Sequence, residues 1–254
     1  MINIKKYLET DCEIICLEET TSTNDYLKSL AKAGNPEKTV VIAKRQTNGK
    51  GRLGRSFYSP EDSGIYMSIL LRPSFSPQKS LFITTAAAVA TALAIDEISD
   101  EKTGIKWVND IFINDKKVSG ILVEGAVNSE GAFDYAVVGI GVNIYNPEND
   151  FPKELKDIAG AVFETKGEDE DKKEKLIAKI LDFFFEIYDN FETSDFMKTY
   201  KQKSIVLGKN IFVIKSDERK KAKAIDIDSN AHLVVEYENG ERESLFSGEV
   251  SIRL

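Results

Sequence analysis

The sequence predicts a larger α/β unit, residues 1–204, followed by a small β-barrel, residues 205–254. Helix-like and strand-like apolar segments alternate up to Ser204, whereas short strand-like segments separated by turns follow it. The chain has 254 residues, of which 42% are hydrophobic, so it is long enough for one or two domains with their own cores.

The first predicted helix begins at residues 22–24, where small oxygen-bearing side chains precede an apolar helical pattern. Leu27, Leu30 and Ala31 recur at helical spacing, and Gly34 is a typical residue after a helix end. Residues 46–55 contain three glycines and no apolar periodicity, which predicts a loop.

Clusters of β-branched and aliphatic residues predict the other strands, and longer periodic or alanine-rich segments predict the other helices. A tight turn is expected at residues 114–116. In the larger unit the predicted strands are 39–43, 65–71, 105–113, 118–123 and 135–144, and the remaining helices are 79–99, 171–190 and 194–203. In the small unit the predicted strands are 211–214, 222–227, 232–237 and 243–246.

The composition argues against several classes of protein. With 42 acidic and 34 basic side chains the net charge is −8, which does not suit a protein that coats nucleic acid. Cys12 and Cys16 are the only cysteines, so neither a disulfide framework nor a four-cysteine zinc site is possible. His232 is the single histidine, which excludes a multi-histidine metal site and argues against a Ser-His-Asp triad.

Two further features concern location. The N-terminal residues lack the apolar run of a signal peptide. The most apolar segment, 81–98, contains three threonines, Asp96 and Glu97, so we expect a buried helix rather than a membrane span. The sequence therefore predicts a cytoplasmic enzyme or binding protein that does not act at a membrane.

A basic, glycine-rich segment stands out in this acidic chain. No acidic residue occurs between Lys38 and Pro60, and three of the cations of this segment, Lys50, Arg52 and Arg55, alternate with glycines. Glycine lets backbone amides approach an anion, and guanidinium groups bind phosphate or carboxylate through two hydrogen bonds. These residues fit three interpretations: a loop that closes over a phosphate-bearing ligand, an exposed basic turn, or a contact with nucleic acid. Their spacing matches neither the P-loop pattern nor the dinucleotide-binding fingerprint.

A second cluster lies at residues 106–110. Lys106 is suited to contacting an anion, and Asp110 to holding Mg²⁺ or orienting a lysine, whereas Trp107 is expected in the core. Lys117 follows within a predicted strand, where it is either a surface residue or points inward and needs a carboxylate or phosphate partner.

Two polar segments complete the pattern. Gly139 and Gly141 interrupt an apolar strand, which indicates either a β-bulge or the close approach of a ligand, and Asn143 could pair with an adenine or amide edge. Residues 22–24 suit either a helix cap or a small polar group such as a ureido ring.

Taken in chain order, these segments resemble biotin protein ligases, also named biotin–[acetyl-CoA-carboxylase] ligases. The resemblance begins at about Thr20 and extends through segment 246–251 (FSGEVS), which looks like the family's C-terminal domain. Five motifs in one order are far more specific than any one of them. These motifs are Ser22-Thr23-Asn24, Gln46 with 49–55 (GKGRLGR), 106–110 (KWVND), 117–122 (KVSGIL) and 139–143 (GIGVN).

The resemblance implies an α+β fold, in which a mixed β-sheet flanked by helices, like that of class II synthetases, precedes a small SH3-like β-barrel. It implies that biotin and ATP with Mg²⁺ form biotinyl-5′-AMP, from which biotin passes to a lysine of a biotin carboxyl carrier domain. Acetyl-CoA carboxylase or another biotin-dependent carboxylase carries such a domain. It also implies a homodimer as one possible assembly.

The resemblance also implies roles for individual residues. The implied catalytic residues are Arg52, Lys106, Asp110 and Lys117. The implied biotin-binding residues are Ser22, Thr23, Asn24, Gln46, Gly49, Lys50, Gly51, Arg52, Lys117 and Gly139. The implied ATP- and adenylate-binding residues are Arg52, Arg55, Phe57, Asn109, Lys117, Gly141 and Asn143, and no residue is implied as a metal ligand.

The chain departs from the family pattern at two positions. Lys50 stands where the family usually has arginine, and Val108 where it usually has proline. The biotin motif starts at Ser22, so we expect a ligase without a helix-turn-helix repressor domain. A lipoate–protein ligase and a non-enzymatic nucleic-acid-binding protein are the alternatives, and the GKGRLG loop and the predicted barrel favour biotin over lipoate.

Overall fold

The computed structural model describes residues 4–61, 63–165, 171–215 and 218–251. Two β-sheets organise them, a mixed sheet of seven strands and an antiparallel sheet of five. The larger unit contains β1 (Glu13–Thr20), α1 (Thr23–Lys32), β2 (Thr39–Gln46), β3 (Gly64–Leu71), α2 (Ser80–Ile98), β4 (Thr103–Lys106), β5 (Asp110–Ile113), β6 (Lys116–Val127), β7 (Phe133–Asn143), α3 (Lys172–Asp189) and α4 (Phe196–Lys203). The small unit contains β8 (Asn210–Lys215), β9 (Glu218–Ile227), β10 (Leu233–Tyr237), β11 (Arg242–Leu245) and β12 (Glu249–Ser251).

The order of the seven strands is β1-β2-β3-β7-β6-β5-β4. β1 and β2 run parallel with α1 between them in the chain, and the other neighbours are antiparallel, which confirms the predicted mixed sheet. β3 is buried at all eight positions because helices cover the sheet on both faces. α1 packs on one face, and α2 with α3 and α4 behind it covers the other.

The predicted buried helix is confirmed as α2, whose small alanine side chains allow close packing against the sheet and α3. Of the described residues, only the helix Pro77–Ile98 is long and apolar enough to cross a membrane by length and composition. Two thirds of it is buried inside the protein, as expected for a core helix.

Two parts of the predicted strand pattern differ from the structure. β1 is absent from the predicted strands, because this edge strand carries three glutamates and shows no clean alternation of apolar and polar residues. The single strand predicted for residues 105–113 is wrong: it consists of β4 and β5, which pair with each other around a reversal at residues 107–109. Trp107 and Val108 made the segment look like one continuous strand, but both side chains are buried within the turn. The Trp107–Val108 peptide bond is cis.

The small unit contains the four predicted strands as β8 to β11, together with the short strand β12. Their order, β11-β10-β9-β8-β12, confirms an antiparallel β unit, although no ladder among the described residues joins β11 to β12 to close a barrel. This unit contacts the larger one at the 107–109 turn, since the Trp107 indole N–H donates to the Ala231 carbonyl at 3.0 Å. Trp107 is thus a buried core residue, as predicted.

Candidate active site

The site lies on the face of the large sheet that α1 covers. Alternate residues of a strand point to the same face, so Val137 under α1 shares its face with Gly139, Gly141 and Asn143. α1, the glycine-rich loop, β6 and the segment after β7 all reach this line of residues. The described contacts divide it into a neutral end, a charged end and an aromatic end.

The neutral end forms where α1 begins. Thr23 and Asn24 are buried, and Gln46 Oε1 accepts the Thr23 backbone N–H at 2.8 Å and its hydroxyl at 3.1 Å. The Gln46 amide nitrogen donates to Ser59 Oγ at 3.0 Å. The predicted helix start is confirmed, but Ser22 makes no side-chain cap, and Gln46 from β2 satisfies the first helical amide instead.

Asn24 has its amide group fixed from two sides. Its Nδ2 donates to Glu124 Oε2 at 2.8 Å, and its Oδ1 accepts from the Ser68 hydroxyl at 2.6 Å. A Cβ atom on Gly139 would lie 2.3 Å from Asn24 Oδ1, so only glycine fits beneath it. What approaches Gly139 this closely is the Asn24 side chain of the protein itself, and the close approach of a ligand stays a prediction. The partners Ser68 and Glu124 were not predicted, because neither belongs to a recognisable motif.

Charged side chains surround this neutral end. Lys28 contacts Glu124 Oε1 at 2.9 Å and Asp25 Oδ1 at 2.8 Å, and Lys50 reaches Asp25 Oδ2 at 2.6 Å. Burial alone would raise the pKa of Glu124, but hydrogen bonds from Lys28 and Asn24 outweigh it and hold that pKa below its ordinary value. The pKa of Asp25 is lowered too, because hydrogen bonds from Lys28 and Lys50 outweigh its burial. The side chain of Lys50 is therefore directed to α1.

The charged end lies where the loop meets the 107–109 turn. Arg52 Nη1 donates to Asn109 Oδ1 at 3.0 Å, and Asn109 Nδ2 donates to Asp110 Oδ1 and to the Ile121 carbonyl, each at 3.0 Å. Lys117 Nζ lies 2.6 Å from Asp110 Oδ1. The structure thus gives Lys117 the inward orientation and the carboxylate partner that the sequence left open.

A β-bulge explains how Lys117 reaches this position. Ile111 pairs with Ser119 but Phe112 pairs with Lys117, so β6 has an extra residue at this point. The bulge turns Lys117 and Gly120 to the same face, and a Cβ on Gly120 would lie 3.2 Å from Lys117 Nζ. Lys106 stands directly opposite Asp110 in the β4–β5 pair and shares that face, whereas Arg55 is exposed on the loop.

The aromatic end lies beyond Gly141. A Cβ on Gly141 would come within 2.6 Å of the Phe57 ring, which therefore lies directly over the strand. Asn143 Nδ2 donates to the Gly160 carbonyl at 3.0 Å. The segment containing Gly160 runs beside β6, where the Lys117 N–H donates to the Ile158 carbonyl at 2.8 Å. The sequence of this segment predicts no role for it, because it has no apolar periodicity.

Most cations of the basic segment, residues 38–60, are paired with carboxylates that lie on other elements of the fold. The pairs are Lys38 with Asp189, Lys44 with Glu18, Arg45 with Glu19 and Lys50 with Asp25. The segment is thus not an open basic face of the kind that a nucleic-acid contact requires.

Comparisons with known proteins agree with this geometry. Residues 16–143 match the model of the biotin/lipoate A/B protein ligase family, and residues 206–253 match that of the biotin protein ligase C terminal domain. The bifunctional ligase/repressor BirA of Bacillus subtilis (strain 168) is 35% identical over 235 residues, which is 91% of this chain and 71% of that protein. The biotin--[acetyl-CoA-carboxylase] ligase of Mycobacterium tuberculosis is 31% identical over 131 residues, which is 50% of this chain and 47% of that protein.

Solved structures give the same result. The biotin protein ligase from Aquifex aeolicus in complex with biotin and ATP superposes with a TM-score of 0.77 at 29% identity, and the match covers 95% of this chain and 98% of that one. The fold, the order of the motifs and both family matches lead to one conclusion. This chain belongs to the biotin/lipoate A/B protein ligase family and carries the C-terminal domain of biotin protein ligases.

Proposed function

We propose that this chain is an ATP-dependent biotin protein ligase, which forms biotinyl-5′-AMP and transfers the biotinyl group to a lysine of a carrier domain. One observation carries the proposal: Arg52 and Lys117 meet at Asn109 and Asp110, on the same sheet face as the buried polar groups around Asn24. A ligand with a neutral polar ring at one end and a carboxylate–phosphate junction at the other fits this layout.

In the first step a carboxylate oxygen of biotin attacks the α-phosphorus of ATP. A new P–O bond forms, the bond to the β-phosphate oxygen breaks, and pyrophosphate leaves. Negative charge concentrates at the junction, and fixed cations stabilise it without a protein nucleophile. We assign this work to Arg52 and Lys117, with Lys106 on the same face contributing further positive charge. A chain with one histidine can therefore catalyse the reaction.

In the second step the ε-amine of the carrier lysine attacks the acyl carbonyl. A C–N bond forms, the C–O bond to AMP breaks, and the amine loses a proton. Asp110 is the carboxylate at the charged end, so we assign to it the orientation of the amine and the acceptance of that proton. This carboxylate lies 2.6 Å from Lys117 Nζ, and it becomes available when Lys117 turns to the carboxylate–phosphate junction.

The neutral end distinguishes biotin from lipoate. A ureido ring carries N–H donors and a carbonyl acceptor, whereas the dithiolane ring of lipoate has no comparable groups. The side chains of Ser22, Thr23, Asn24 and Gln46 offer both donors and acceptors at this end. We assign the ring of biotin to them, and its chain and carboxylate to the backbone at Gly49, Gly51 and Gly139 with Lys50 nearby.

The aromatic end receives the nucleotide. We assign stacking on adenine to Phe57, which lies over Gly141, and a hydrogen bond with the base to Asn143. We assign contacts with the sugar and phosphates to Asn109 and Arg55. Among the described residues no group of three or more acidic, histidine or cysteine side chains is placed to hold a metal. We propose that Mg²⁺ enters with the substrate as MgATP, bound through its phosphates.

Several finer points remain part of the proposal. We place the chemistry in residues 1–204, and a supporting role in residues 205–254. The acceptor is the biotin carboxyl carrier domain of acetyl-CoA carboxylase or a similar carboxylase, and the site of action is the cytoplasm. A homodimer stays a prediction that sedimentation at several concentrations will test.

The decisive test is mass spectrometry of a purified carrier domain after incubation with this protein, biotin and MgATP. We expect a mass gain of one biotinyl group, which disappears when the acceptor lysine is replaced by arginine. Parallel reactions contain lipoate in place of biotin. Modification by lipoate alone contradicts the proposal, and tight, salt-dependent binding to DNA without acyl transfer supports the nucleic-acid alternative instead.

A further inference from the structure

The 107–109 turn, which carries Asn109 and leads into Asp110, is supported from beneath by a tyrosine of α4. The Tyr200 hydroxyl donates to the Val108 carbonyl at 3.0 Å, and both residues are fully buried. Burial raises the pKa of Tyr200 well above its ordinary value, so this hydroxyl stays protonated and remains a donor. Asp110 and Arg52 are close enough for their charges to act on that pKa. Tyr200 therefore lies directly behind the charged end.

Val108 connects Tyr200 to the groups assigned to the chemistry. Its carbonyl belongs to the peptide unit that continues into Asn109, and the Asn109 side chain holds both Arg52 and Asp110. A shift of the Val108 carbonyl therefore also moves the side-chain amide of Asn109, which accepts the hydrogen bond from the Arg52 guanidinium. No described hydrogen bond joins Tyr200 to the neutral end, whose polar groups come from α1, β2, β3 and β6.

We propose that Tyr200 is a positioning residue, which sets the placement of Arg52 and Asp110 by fixing the Val108 carbonyl. This inference rests on the proposed function. It predicts that loss of the hydroxyl slows adenylate formation and leaves recognition of the biotin ring intact. If Tyr200 merely stabilised the fold, loss of its hydroxyl would impair the rate of adenylate formation and the recognition of biotin together.

The test compares Tyr200→Phe with Tyr188→Phe in biotin-dependent pyrophosphate exchange. Tyr188 is the matched control, because its hydroxyl also makes one side-chain hydrogen bond, to Glu37 at 3.0 Å, but on α3 away from the site. We expect kcat of Tyr200→Phe to fall about tenfold, since misplacement of reacting groups by a fraction of an ångström costs this much. The KM for biotin should stay within about twofold, and Tyr188→Phe should keep the wild-type kcat.

A double-mutant cycle tests the route of the effect. If Tyr200 acts through Asn109, Tyr200→Phe has little further effect in an Asn109→Ala background, whereas independent effects would multiply. Should Tyr200→Phe not fold, as judged by circular dichroism and urea unfolding, Trp107→Phe replaces it as a second test of the turn. That variant removes the bond to Ala231 on the same turn without touching α4, and the same loss of kcat alone is expected.

Three outcomes overturn the inference: a kcat for Tyr200→Phe equal to that of Tyr188→Phe, a parallel rise in the KM for biotin, or fully multiplicative effects with Asn109→Ala. These outcomes are separate from a failure of the proposed function, because the wild-type protein then still catalyses biotin-dependent exchange. Absence of exchange in the wild type would instead reject the function itself.

Discussion

The neutral and charged ends of the site are built differently. Thr23, Asn24 and Ser68 at the neutral end are buried and joined by short hydrogen bonds. At the charged end, Lys117 and Asp110 keep 29% and 23% of their side-chain surface exposed and neutralise each other. The neutral end is thus held by buried hydrogen bonds and the charged end by a partly exposed ion pair, and we propose that a bound ligand exchanges the contacts of that pair. Recognition and chemistry are thus assigned to different kinds of structure.

This difference follows from the cost of burying charge. A buried amide or hydroxyl is satisfied by one or two fixed hydrogen bonds, so a rigid pocket can be built from such groups. A cation needs a partner at every stage, and an unpaired one inside the protein costs several kcal/mol. The pair of Asp110 with Lys117 supplies that partner, and in the proposed reaction a phosphate or carboxylate takes the place of Asp110.

The largest expected effect belongs to Lys117→Met, which removes the charge and keeps most of the side chain. We expect kcat of biotin-dependent pyrophosphate exchange to fall by about 10²–10³, as for the loss of one fixed group that stabilises charge in a transition state. The affinity for biotin should change far less, because Asn24 and its neighbours are untouched. Both quantities are measured by exchange kinetics and calorimetry.

Lys116→Met is the matched control for this variant. Lys116 is the adjacent residue of β6, but its side chain is exposed and donates to the Lys156 carbonyl at 3.0 Å. We expect wild-type kinetics from it. Equal losses in the two variants, or a loss of biotin affinity as large as that of kcat, would contradict the division between the two ends.

The next effect compares two glycines of β7. Gly139→Ala places a methyl group 2.3 Å from Asn24 Oδ1, and Gly141→Ala places one 2.6 Å from the Phe57 ring. We expect Gly139→Ala to raise the KM for biotin by about ten- to a hundredfold, and Gly141→Ala to raise mainly the KM for ATP, by less because the Phe57 ring can turn. Each variant is the control for the other, and identical changes in both would show that a general disturbance of β7 is responsible.

The motif residues could be recognised from the sequence because each motif is a short local pattern of glycines, cations or small polar side chains. Gly139 and Gly141 were recognised in this way, and the structure shows close approach above both. The partners of Asn24 could not be predicted from the sequence. Ser68 on β3 and Glu124 on β6 lie 44 and 100 residues further along the chain than Asn24. The reversal at Trp107 was missed for a similar reason: its apolar residues are buried by tertiary contacts, which local periodicity does not report.

A smaller, pH-dependent effect is expected from Glu124→Gln. Because hydrogen bonds from Lys28 and Asn24 hold the pKa of Glu124 below its ordinary value of 4.5, the carboxylate stabilises the folded protein fully above that value. This stabilisation is lost as the pH falls through the lowered pKa. Urea unfolding should therefore show wild type more stable than Glu124→Gln at neutral pH, with the difference shrinking in acid below 4.5.

The same variant sharpens the comparison at the site. At neutral pH we expect it to raise the KM for biotin a few-fold with little change in kcat, since glutamine retains an acceptor for the Asn24 amide but loses the charge. Lys28→Met removes the Lys28 hydrogen bond that lowers the pKa, so the acid-dependent difference should be smaller in that background. An unchanged difference would mean that Lys28 does not stabilise the carboxylate.

The smallest effect is expected from Lys50→Met, which tests how the glycine-rich loop joins the two ends. Arg52 ties the loop to Asn109, and Lys50 ties it to Asp25 on α1 at 2.6 Å, with 36% of each side chain exposed. An ion pair this exposed contributes ~0.2–1 kcal/mol, so we expect hydrolysis of the preformed adenylate, without an acceptor, to become up to about fivefold faster. Asp25→Asn should give the same increase, and the double variant no more than either.

Lys44→Met is the control, because Lys44 is equally exposed and pairs with Glu18 on the neighbouring strand. If Lys44→Met accelerates hydrolysis as much as Lys50→Met does, the adenylate is retained by the overall positive charge of the segment and not by the contact between Lys50 and α1.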